Sequence, residues 1–373
     1  MEAARAKLMT FDLIVIGGGP AGCAASITAA RAGARVLQFE RGRFPRHKVC
    51  GEFVSAESLE LLRQLVCHDH AQLVTHAPKI PRTRIFLENA ELVGKVSPPA
   101  ASVTRFDLDR VLWNSAIQSG VDAREGSPVQ CVTGTAPFLV NTAEGPLEAK
   151  AVINATGRWS NLTSPQIRAR TTGERWIGIK AHFREPRSSQ SVDLYFFDGG
   201  YCGVQPVSVS QNGAGTMVNA CAMVRAEAAT SLQDVFSAHP ALLERSRHWI
   251  AAMDPVTTSP LVFHEPELSH NSMLQIGDSA TFVDPFIGDG ISLALQSGAL
   301  AAQCLAPFFK GECSLEQATS DYCAAYKRKL SRVFRNSSRL RRLLQWPSIV
   351  RKPALSILQR TPAITSMLVR MTR

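Results

Sequence analysis

A short glycine-rich segment, placed between a predicted strand and a predicted helix, constrains the fold more than any other feature of the sequence. Residues 11–17 (FDLIVIG) form an apolar, β-branched run, and Gly17-Gly-Gly19-Pro-Ala-Gly22 leads directly into the alanine-rich residues 23–32. A second apolar run, residues 34–39, follows and ends at Glu40. Short apolar runs of this kind predict buried strands, and their alternation with a helix predicts a βαβ unit with a parallel sheet.

The spacing Gly17-x-Gly19-x-x-Gly22 in this context predicts a turn that binds a dinucleotide. Gly17 permits the tight turn, Gly19 lets the backbone approach a pyrophosphate, and Gly22 allows close packing of helix on strand. The start of the helix offers free N–H groups and a partial positive charge to the phosphates. Glu40 is expected to accept hydrogen bonds from the adenosine ribose. The residues of this unit that we expect to contact the dinucleotide are Gly17, Gly19, Pro20, Ala21, Gly22, Glu40 and Arg41.

A second motif near residue 277 separates FAD from NAD, which the first motif alone cannot do. Gly277-Asp278 follows the buried-strand pattern of residues 272–276, and residues 284–290 (DPFIGDG) precede a predicted helix over residues 290–305. At these residues the sequence resembles FAD enzymes of the p-hydroxybenzoate-hydroxylase and geranylgeranyl-reductase type.

This resemblance implies a place for the flavin. In such enzymes a Gly-Asp pair after a late strand holds the ribityl chain, so Asp278 is the implied ribityl ligand; the alternative for this residue is a helix N-cap. The N–H groups at the start of the following helix would face the pyrimidine edge of the isoalloxazine and stabilise the negative charge of reduced flavin. The helix-start residues concerned are Gly288, Gly290 and Ile291.

Two further segments resemble the geranylgeranyl reductase family. Residues 44–52 (FPRHKVCGE) resemble its FPRxKxCGE loop, and residues 198–206 (DGGYCGVQP) resemble its GGYxGxxP strand and turn. Arg105 stands where related enzymes keep an arginine against FAD, and Gly157 closes the predicted buried strand 151–155. The matches span roughly residues 10–300.

The candidate catalytic residues are Cys50, Tyr201 and Lys48. The resemblance places Cys50, Gly51 and Lys48 beside the isoalloxazine, where the Cys50 thiol could adjust flavin reactivity or supply a proton; for Cys50 a small apolar filler is the equal alternative. Tyr201 could donate a proton to substrate or serve as a packing aromatic. Lys48, with Arg46, could grip an anionic group such as a diphosphate, or both could be solvated surface charges.

The expected fold class is α/β. A Rossmann-like FAD-binding domain with a parallel sheet, discontinuous in sequence, carries an inserted antiparallel-sheet substrate domain that covers the flavin. We assign residues 10–79, 101–170 and 271–326 to the FAD-binding domain, residues 80–100 and 171–270 to the substrate domain, and residues 327–373 to a basic helical segment.

The charge of the chain is concentrated in that last segment. Of a formal net charge of +10, thirteen Lys or Arg lie in residues 327–373, which hold no acidic residue, so the preceding residues sum to −3 (10 − 13). Amphipathic basic helices with Leu and Trp suit an anionic membrane surface, and helices packed on the FAD-binding domain are the alternative. A nucleic-acid partner is not expected, because no recognisable fold or stacking platform accompanies the charge.

Other classes of site and location are disfavoured. The nine cysteines contain no CxxC pair and are expected to be reduced thiols, and His68-Asp-His70 lacks further ligands for a metal.

No run of about 18 apolar residues and no signal peptide are found, so we expect no transmembrane helix and a cytoplasmic, at most membrane-peripheral, protein. Halogenation is disfavoured because the tryptophans are isolated and no Trp-x-Trp-x-Ile-Pro signature occurs.

The resemblance implies an FAD-dependent oxidoreductase. Hydride transfer at flavin N5 would reduce or oxidise a carbon–carbon bond of an apolar, isoprenoid- or polyketide-like substrate. The alternatives are a monooxygenase acting on an aromatic or polyketide substrate, and a non-enzymatic or electron-carrying flavin protein. The electron donor is open, because Asn154-Ala-Thr-Gly157 stands where NADPH-using relatives often carry Asp-Gly and no second GxGxxG occurs. NAD(P)H is therefore expected only as a transient donor.

Overall fold

The computed structural model describes residues 10–87, 90–158, 162, 175–186, 189–207, 216–261, 263–282 and 288–331. Two predicted features lie partly outside these residues: the beginning of the 284–290 segment, and the basic segment from residue 332 onward. Membrane binding by that basic segment therefore stays a prediction.

Strands and helices follow one another along the chain with short connections. The strands are β1 (Thr10–Ile16), β2 (Val36–Glu40), β3 (Phe53–Val54), β4 (Lys79–Leu87), β5 (Ala90–Ser102), β6 (Asp122–Glu125), β7 (Val129–Thr133), β8 (Phe138–Thr142), β9 (Gly145–Asn154), β10 (Trp176–Glu185), β11 (Ser191–Phe197), β12 (Gly200–Val207), β13 (Thr216–Arg225), β14 (Ile250–Ala251), β15 (Val256–Thr258), β16 (Ser269–His270) and β17 (Met273–Gln275). The α-helices are α1 (Pro20–Arg31), α2 (Ala56–Leu65), α3 (Gln72–Thr75), α4 (Arg105–Gln118), α5 (Leu232–Ser237), α6 (Pro240–Ser246), α7 (Gly290–Phe309) and α8 (Leu315–Lys329).

The first sheet has a parallel centre in the order β17-β9-β1-β2-β6. Along β1, Leu13 and Val15 pack in the core that contains α1 and α7, while Ile14 and Ile16 pack in the core that contains β8. Both faces of the strand are therefore buried, which explains its continuous apolar run. Helix α1 packs against α7, and α7 packs in turn against α8.

The second sheet is mostly antiparallel, in the order β14-β10-β13-β12-β11-β4-β5-β3, with β15 paired to β10. The pair β11–β4 is parallel, and it joins the two parts of the chain that form this sheet. A parallel sheet with helices beside an antiparallel sheet confirms the predicted α/β fold class. The residue boundaries of the domains stay a prediction.

Helix α7 has the length and hydropathy of a membrane span but is packed largely inside the protein. It is 20 residues long with a mean hydropathy of 1.3, and within the described part of the chain it is the one helix long and apolar enough to cross a bilayer. However, 61% of that apolar stretch is buried within the protein. The close approach of α1 and α7 depends on Gly298, where a Cβ atom would lie 2.1 Å from the Ala21 carbonyl oxygen. These contacts are those of a core helix.

Candidate functional site

A cavity of about 660 Å³ lies where the carboxyl ends of the parallel strands meet the face of the antiparallel sheet. This edge of a parallel sheet is where open α/β folds bind their ligands. Every residue predicted to contact the cofactor or the substrate lines this cavity, with the exceptions of Gly22 and Arg46. At Gly22 a Cβ atom would lie 1.9 Å from the Gly17 carbonyl oxygen, so this glycine serves the packing of helix on strand.

Two helix N-termini open into the cavity. Helix α1 begins with Gly19 as its N-cap and Pro20 as its first residue, and no acidic residue lies in its first turn. Helix α7 begins at Gly290 after Asp289 as its N-cap. The unpaired N–H groups and helix dipoles favour negative charge at both points.

The glycines of the cavity wall leave room that the protein does not fill. A Cβ atom at Gly51, Gly157 or Gly290 would meet nothing within 4 Å, and one at Gly19 would meet only Arg105 Nη2, at 3.9 Å. Glycine at these positions is thus not required by contacts within the chain. The open space before α1 and α7 fits a dinucleotide that approaches the backbone closely.

Glu40 is held by four N–H donors at the end of β2. Gly18 N and Gly42 N each donate at 2.8 Å, and Arg46 pairs with both carboxylate oxygens at 2.9 Å. Burial raises the pKa of Glu40, but these hydrogen bonds and the Arg46 charge outweigh it and lower the pKa to about 2. Arg46 also lies over the Phe44 ring, at 4.9 Å. Arg46 is therefore paired with the Glu40 carboxylate and is not available to bind a substrate anion.

Two more cations stand nearby. Arg105 Nε and Nη2 each contact the buried Asp109 carboxylate at 2.7 Å, so its orientation in the cavity wall is fixed. Lys48 is partly buried, and burial together with the positive charges of Arg105 and Arg46 lowers its pKa to about 8. Arg105 is itself a predicted dinucleotide-binding residue, and Arg46 pairs with another, Glu40. This placement favours contact of Lys48 with a phosphate over a role at the flavin ring.

Cys50 and Tyr201 lie where the loop after β2 meets the antiparallel sheet. Cys50 Sγ accepts a hydrogen bond from Glu52 N at 3.3 Å, and its carbonyl accepts one from Asn219 Nδ2 at 2.9 Å. Burial raises the pKa of the Cys50 thiol, so the sulfur keeps its proton at neutral pH. Tyr201 is 7% exposed and packs in an apolar cluster with Met223.

Asp278 lies in a 3₁₀ turn, Gly277–Ser279, between β17 and α7. Its side chain is 40% exposed, and Oδ2 lies 3.6 Å from Arg158 Nε. It does not serve as the N-cap of α7, which is Asp289. The carboxylate is therefore free to accept hydrogen bonds from a ligand in the cavity.

Arg158 is a cavity residue that the sequence analysis missed. Its guanidinium lies 4.5 Å from the centre of the Phe282 ring, beside Asp278. The signal for it was an arginine directly after Gly157, at the end of a buried parallel strand. Burial lowers the pKa of Arg158, and the Asp278 carboxylate opposes this effect.

Asn154 stands where NADPH-using relatives often carry an aspartate. Its side chain is part of a hydrogen-bond network of uncharged groups. Asn154 Nδ2 donates to Gln275 Oε1 at 2.7 Å, and Asn154 Oδ1 accepts from the Thr156 hydroxyl at 2.7 Å. The Asn154 side chain therefore makes these hydrogen bonds within the protein. NAD(P)H as a transient donor stays a prediction.

Comparison with known proteins agrees with this geometry. A family described as "FAD binding domain" matches residues 10–336. The chain is 25% identical over 320 residues to a menaquinone reductase from Mycolicibacterium smegmatis, covering 79% of this chain and 76% of the relative. It is 23% identical over 370 residues to a flavin-dependent halogenase from Armillaria mellea, covering 87% and 72%.

Among solved structures, a geranylgeranyl bacteriochlorophyll reductase-like protein from Thermoplasma acidophilum has a similar fold. The TM-score is 0.73 at 21% sequence identity, and the match covers 96% of this chain and 91% of the other. At this identity the similarity establishes the fold.

Proposed function

Because the chain belongs to the FAD binding domain family and is an FAD-dependent oxidoreductase, we propose that it reduces or oxidises a carbon–carbon bond of an apolar, isoprenoid- or polyketide-like substrate. The observation that carries this proposal is an apolar cluster in the cavity wall, formed by strands β12 and β13 and by the loops that carry Leu261 and Phe282. Its side chains are those of Tyr201, Met223, Leu261 and Phe282. When bound, FAD supplies a hydride donor or acceptor at N5.

The first sheet and its helices hold the cofactor in this proposal. The N-terminus of α1, with Gly19 and Arg105, takes the phosphates, and Glu40 takes the adenosine ribose at the end of β2. Asp278 accepts hydrogen bonds from the ribityl hydroxyls. These assignments are supported by the openness of the glycine positions, by the two helix starts and by the exposed Asp278 carboxylate.

The apolar cluster of the cavity wall binds the substrate and excludes water. Leu261 is 5% and Phe282 7% exposed, so their apolar surface is already withdrawn from solvent before a substrate enters. An apolar chain or ring gains the hydrophobic free energy of transfer into such a wall, about 25 cal/mol per Å² buried. Exclusion of water also limits loss of reducing equivalents to side reactions.

Reduction of a carbon–carbon double bond requires a proton at the carbon that does not receive hydride. The Cys50 thiol, which burial keeps protonated, is the group of the loop that can supply it from Sγ. Cys50→Ala should leave FAD binding unchanged and slow product formation. Cys67→Ala, a partly buried cysteine outside the cavity wall, is the matched control.

The proposal is tested by anaerobic stopped-flow mixing. Holoprotein is reduced with one equivalent of dithionite and mixed with a polyprenyl diphosphate or with menaquinone, and flavin absorbance is followed. We expect rapid reoxidation by the unsaturated compounds and none by the fully saturated polyprenyl diphosphate, whereas a menaquinone with a saturated tail should still reoxidise the flavin through its quinone ring. Absence of substrate-dependent reoxidation with every apolar alkene and quinone tested would contradict the proposal.

A second candidate is oxygenation of an aromatic or polyketide substrate. It is favoured by the flavin-dependent halogenases among the relatives, which cover as much of the chain as the reductases do. NADPH oxidation and oxygen uptake that are both stimulated by an aromatic substrate, with a hydroxylated product, would support this candidate against the first.

A further inference from the structure

One charged side chain of the cavity wall makes no hydrogen bond with the described part of the chain. Arg158 follows the end of β9 and lines the cavity, and its side chain is only 17% exposed. Its one ion pair is with Asp278, whose Oδ2 lies 3.6 Å from Nε, which is too long for a hydrogen bond. A guanidinium carries five N–H donors in a fixed plane. All five are therefore available to a ligand.

Other largely buried arginines of the described chain bind carboxylates directly. Arg105 holds both oxygens of Asp109 at 2.7 Å, and Arg245 contacts both oxygens of Glu185 at 2.6 and 3.0 Å. Burial removes a charged group from water, and hydrogen bonds within the protein normally replace the lost hydration. Arg158 has lost most of its hydration without this replacement, which points to a partner that enters the cavity from outside.

Arg158 lies where the apolar cluster of the cavity wall meets the residues assigned to the flavin. The centre of its guanidinium is 4.5 Å from the centre of the Phe282 ring. Cys50 and Cys221, which also line the cavity, are near enough to interact with it electrostatically. Asp278, on its other side, is the implied ribityl ligand. A group bound by Arg158 would therefore touch both the apolar cluster and the flavin region.

The remaining cations of the cavity wall belong to the predicted dinucleotide site. Arg41 and Lys48 follow β2, and Arg105 begins α4. Among the described cations that line the cavity, Arg158 is the one whose guanidinium lies over a ring of the apolar cluster. The cofactor phosphates thus have cations of their own, and Arg158 is placed for a second anion.

The charges at this point fit an anion with a single negative charge. Arg158 and Asp278 sum to zero, so a diphosphate would bring several negative charges against one arginine and beside a carboxylate. A carboxylate brings one charge, and its two oxygens match the planar guanidinium in two parallel N–H···O bonds. A carboxylate is therefore the group that this site fits.

We propose that Arg158 binds a carboxylate group of the substrate, so that the substrate is an apolar, unsaturated carboxylic acid. Its apolar body lies on the cluster of Tyr201, Met223, Leu261 and Phe282. Because one end is fixed, the distance from the carboxylate selects the carbon–carbon bond that reaches the flavin. The inference rests on the proposed function in one respect, that this apolar cluster binds the substrate.

The test compares acids with their uncharged methyl esters. Oxidised holoprotein is dialysed to equilibrium against geranate, farnesoate and geranylgeranoate and against the methyl ester of each, and bound ligand is quantified by mass spectrometry. We expect at least one acid to bind about tenfold or more tightly than its ester, because hydrogen bonds to a charged group are the strong ones. Arg158→Gln should abolish this preference, and Arg158→Lys should retain part of it.

Arg124→Gln is the matched control and should leave the preference intact. Arg124 also pairs with an aspartate, Asp122 at 2.9 Å, and lies over a phenyl ring, that of Phe39 at 5.8 Å, but it is outside the cavity wall. A preference for the acid that persists in Arg158→Gln, or that no acid shows in the wild type, would overturn the inference.

Two further outcomes would also overturn it. Loss of FAD from both Arg158 variants would assign this arginine to the cofactor, and tighter binding of farnesyl diphosphate than of farnesoate would assign it to a diphosphate. Binding is measured without turnover, so failure of the proposed carbon–carbon chemistry leaves the result unchanged. Equal binding of acids and esters would reject the carboxylate while leaving the proposed function in place.

Discussion

At the scale of single residues, the glycines of the first motif differ in what an added Cβ atom would contact. A Cβ atom at Gly19 enters open cavity, whereas one at Gly22 lies 1.9 Å from the Gly17 carbonyl oxygen. Gly19 therefore leaves space for a ligand, whereas Gly22 is required for the packing of helix α1 on β1. The sequence pattern alone could assign these roles, because both depend on local geometry.

We predict that Gly19→Ala lowers FAD affinity by about tenfold or more while the thermal unfolding of apoprotein stays the same, since the methyl group occupies space before the phosphates. Gly22→Ala should destabilise the apoprotein by about 1–3 kcal/mol or more, because helix α1 must move away from β1. Calorimetric titration with FAD and thermal unfolding measure the two effects. Equal destabilisation by both substitutions would contradict this division.

Glu40 makes the stability of the apoprotein depend on pH. Its pKa falls from 4.5 to about 2 on folding, which corresponds to about 3 kcal/mol of stability at neutral pH. Because the folded pKa is the lower one, this contribution is present above pH 4.5 and is lost as the pH falls toward 2.

We therefore predict that Glu40→Gln lowers the free energy of unfolding by about 3 kcal/mol at pH 7, and that the difference from wild type shrinks below about pH 4.5. Urea unfolding at several pH values measures it. Glu60→Gln, at an exposed salt bridge, is the control and should change stability by less than about 1 kcal/mol. A difference between wild type and Glu40→Gln that stays constant down to pH 3 would refute this assignment.

At the scale of elements, the packing of α1 on α7 joins the two FAD motifs. A Cβ atom at Gly298 would lie 2.1 Å from the Ala21 carbonyl oxygen, whereas one at Gly290 on the same helix would meet nothing within 4 Å. Gly298→Ala should destabilise the apoprotein by about 1–3 kcal/mol, and Gly290→Ala should leave it unchanged or slightly more stable. Chemical denaturation compares the two, and similar midpoints would contradict the packing argument.

Most elements with a local signal could be predicted from the sequence. Residues 290–305 were expected to be helical, and the structure has α7 at Gly290–Phe309. Thr104 caps α4 by accepting from Asp107 N, a pattern visible in the sequence. The parallel pairing of β11 with β4 could not be predicted, because it depends on register between distant segments rather than on either sequence.

At the scale of the whole molecule, Glu52 joins the loop after β2 and the start of α4 to strand β10 of the second sheet. The CGE loop was recognised in the sequence, but the partners Lys180 and His182 were missed because they lie 128 and 130 residues further along the chain. Their signal was two basic residues at alternate positions within the otherwise apolar residues 176–183 of β10. Such a pattern indicates a buried polar pair only when the facing residue is known.

This junction predicts a non-additive effect on stability. Lys180→Met leaves a buried carboxylate without its ammonium and should cost about 3–5 kcal/mol. The double variant Glu52→Gln/Lys180→Met should be more stable than Lys180→Met, because no unpaired charge remains. Urea unfolding of the two single variants and the double variant forms the cycle, and simple additivity would show that the two groups act independently.

The central claim is that the cavity holds FAD against an apolar substrate whose carbon–carbon bond is reduced or oxidised. The most direct measurement is mass spectrometry of the product after a single anaerobic turnover of reduced holoprotein with an unsaturated polyprenyl substrate in D₂O. The account predicts a product with two added deuterium atoms, because N5–H of reduced flavin exchanges with solvent and the second hydrogen is delivered as a proton. A substrate unchanged without oxygen, and gaining an oxygen atom once air is admitted, would contradict it.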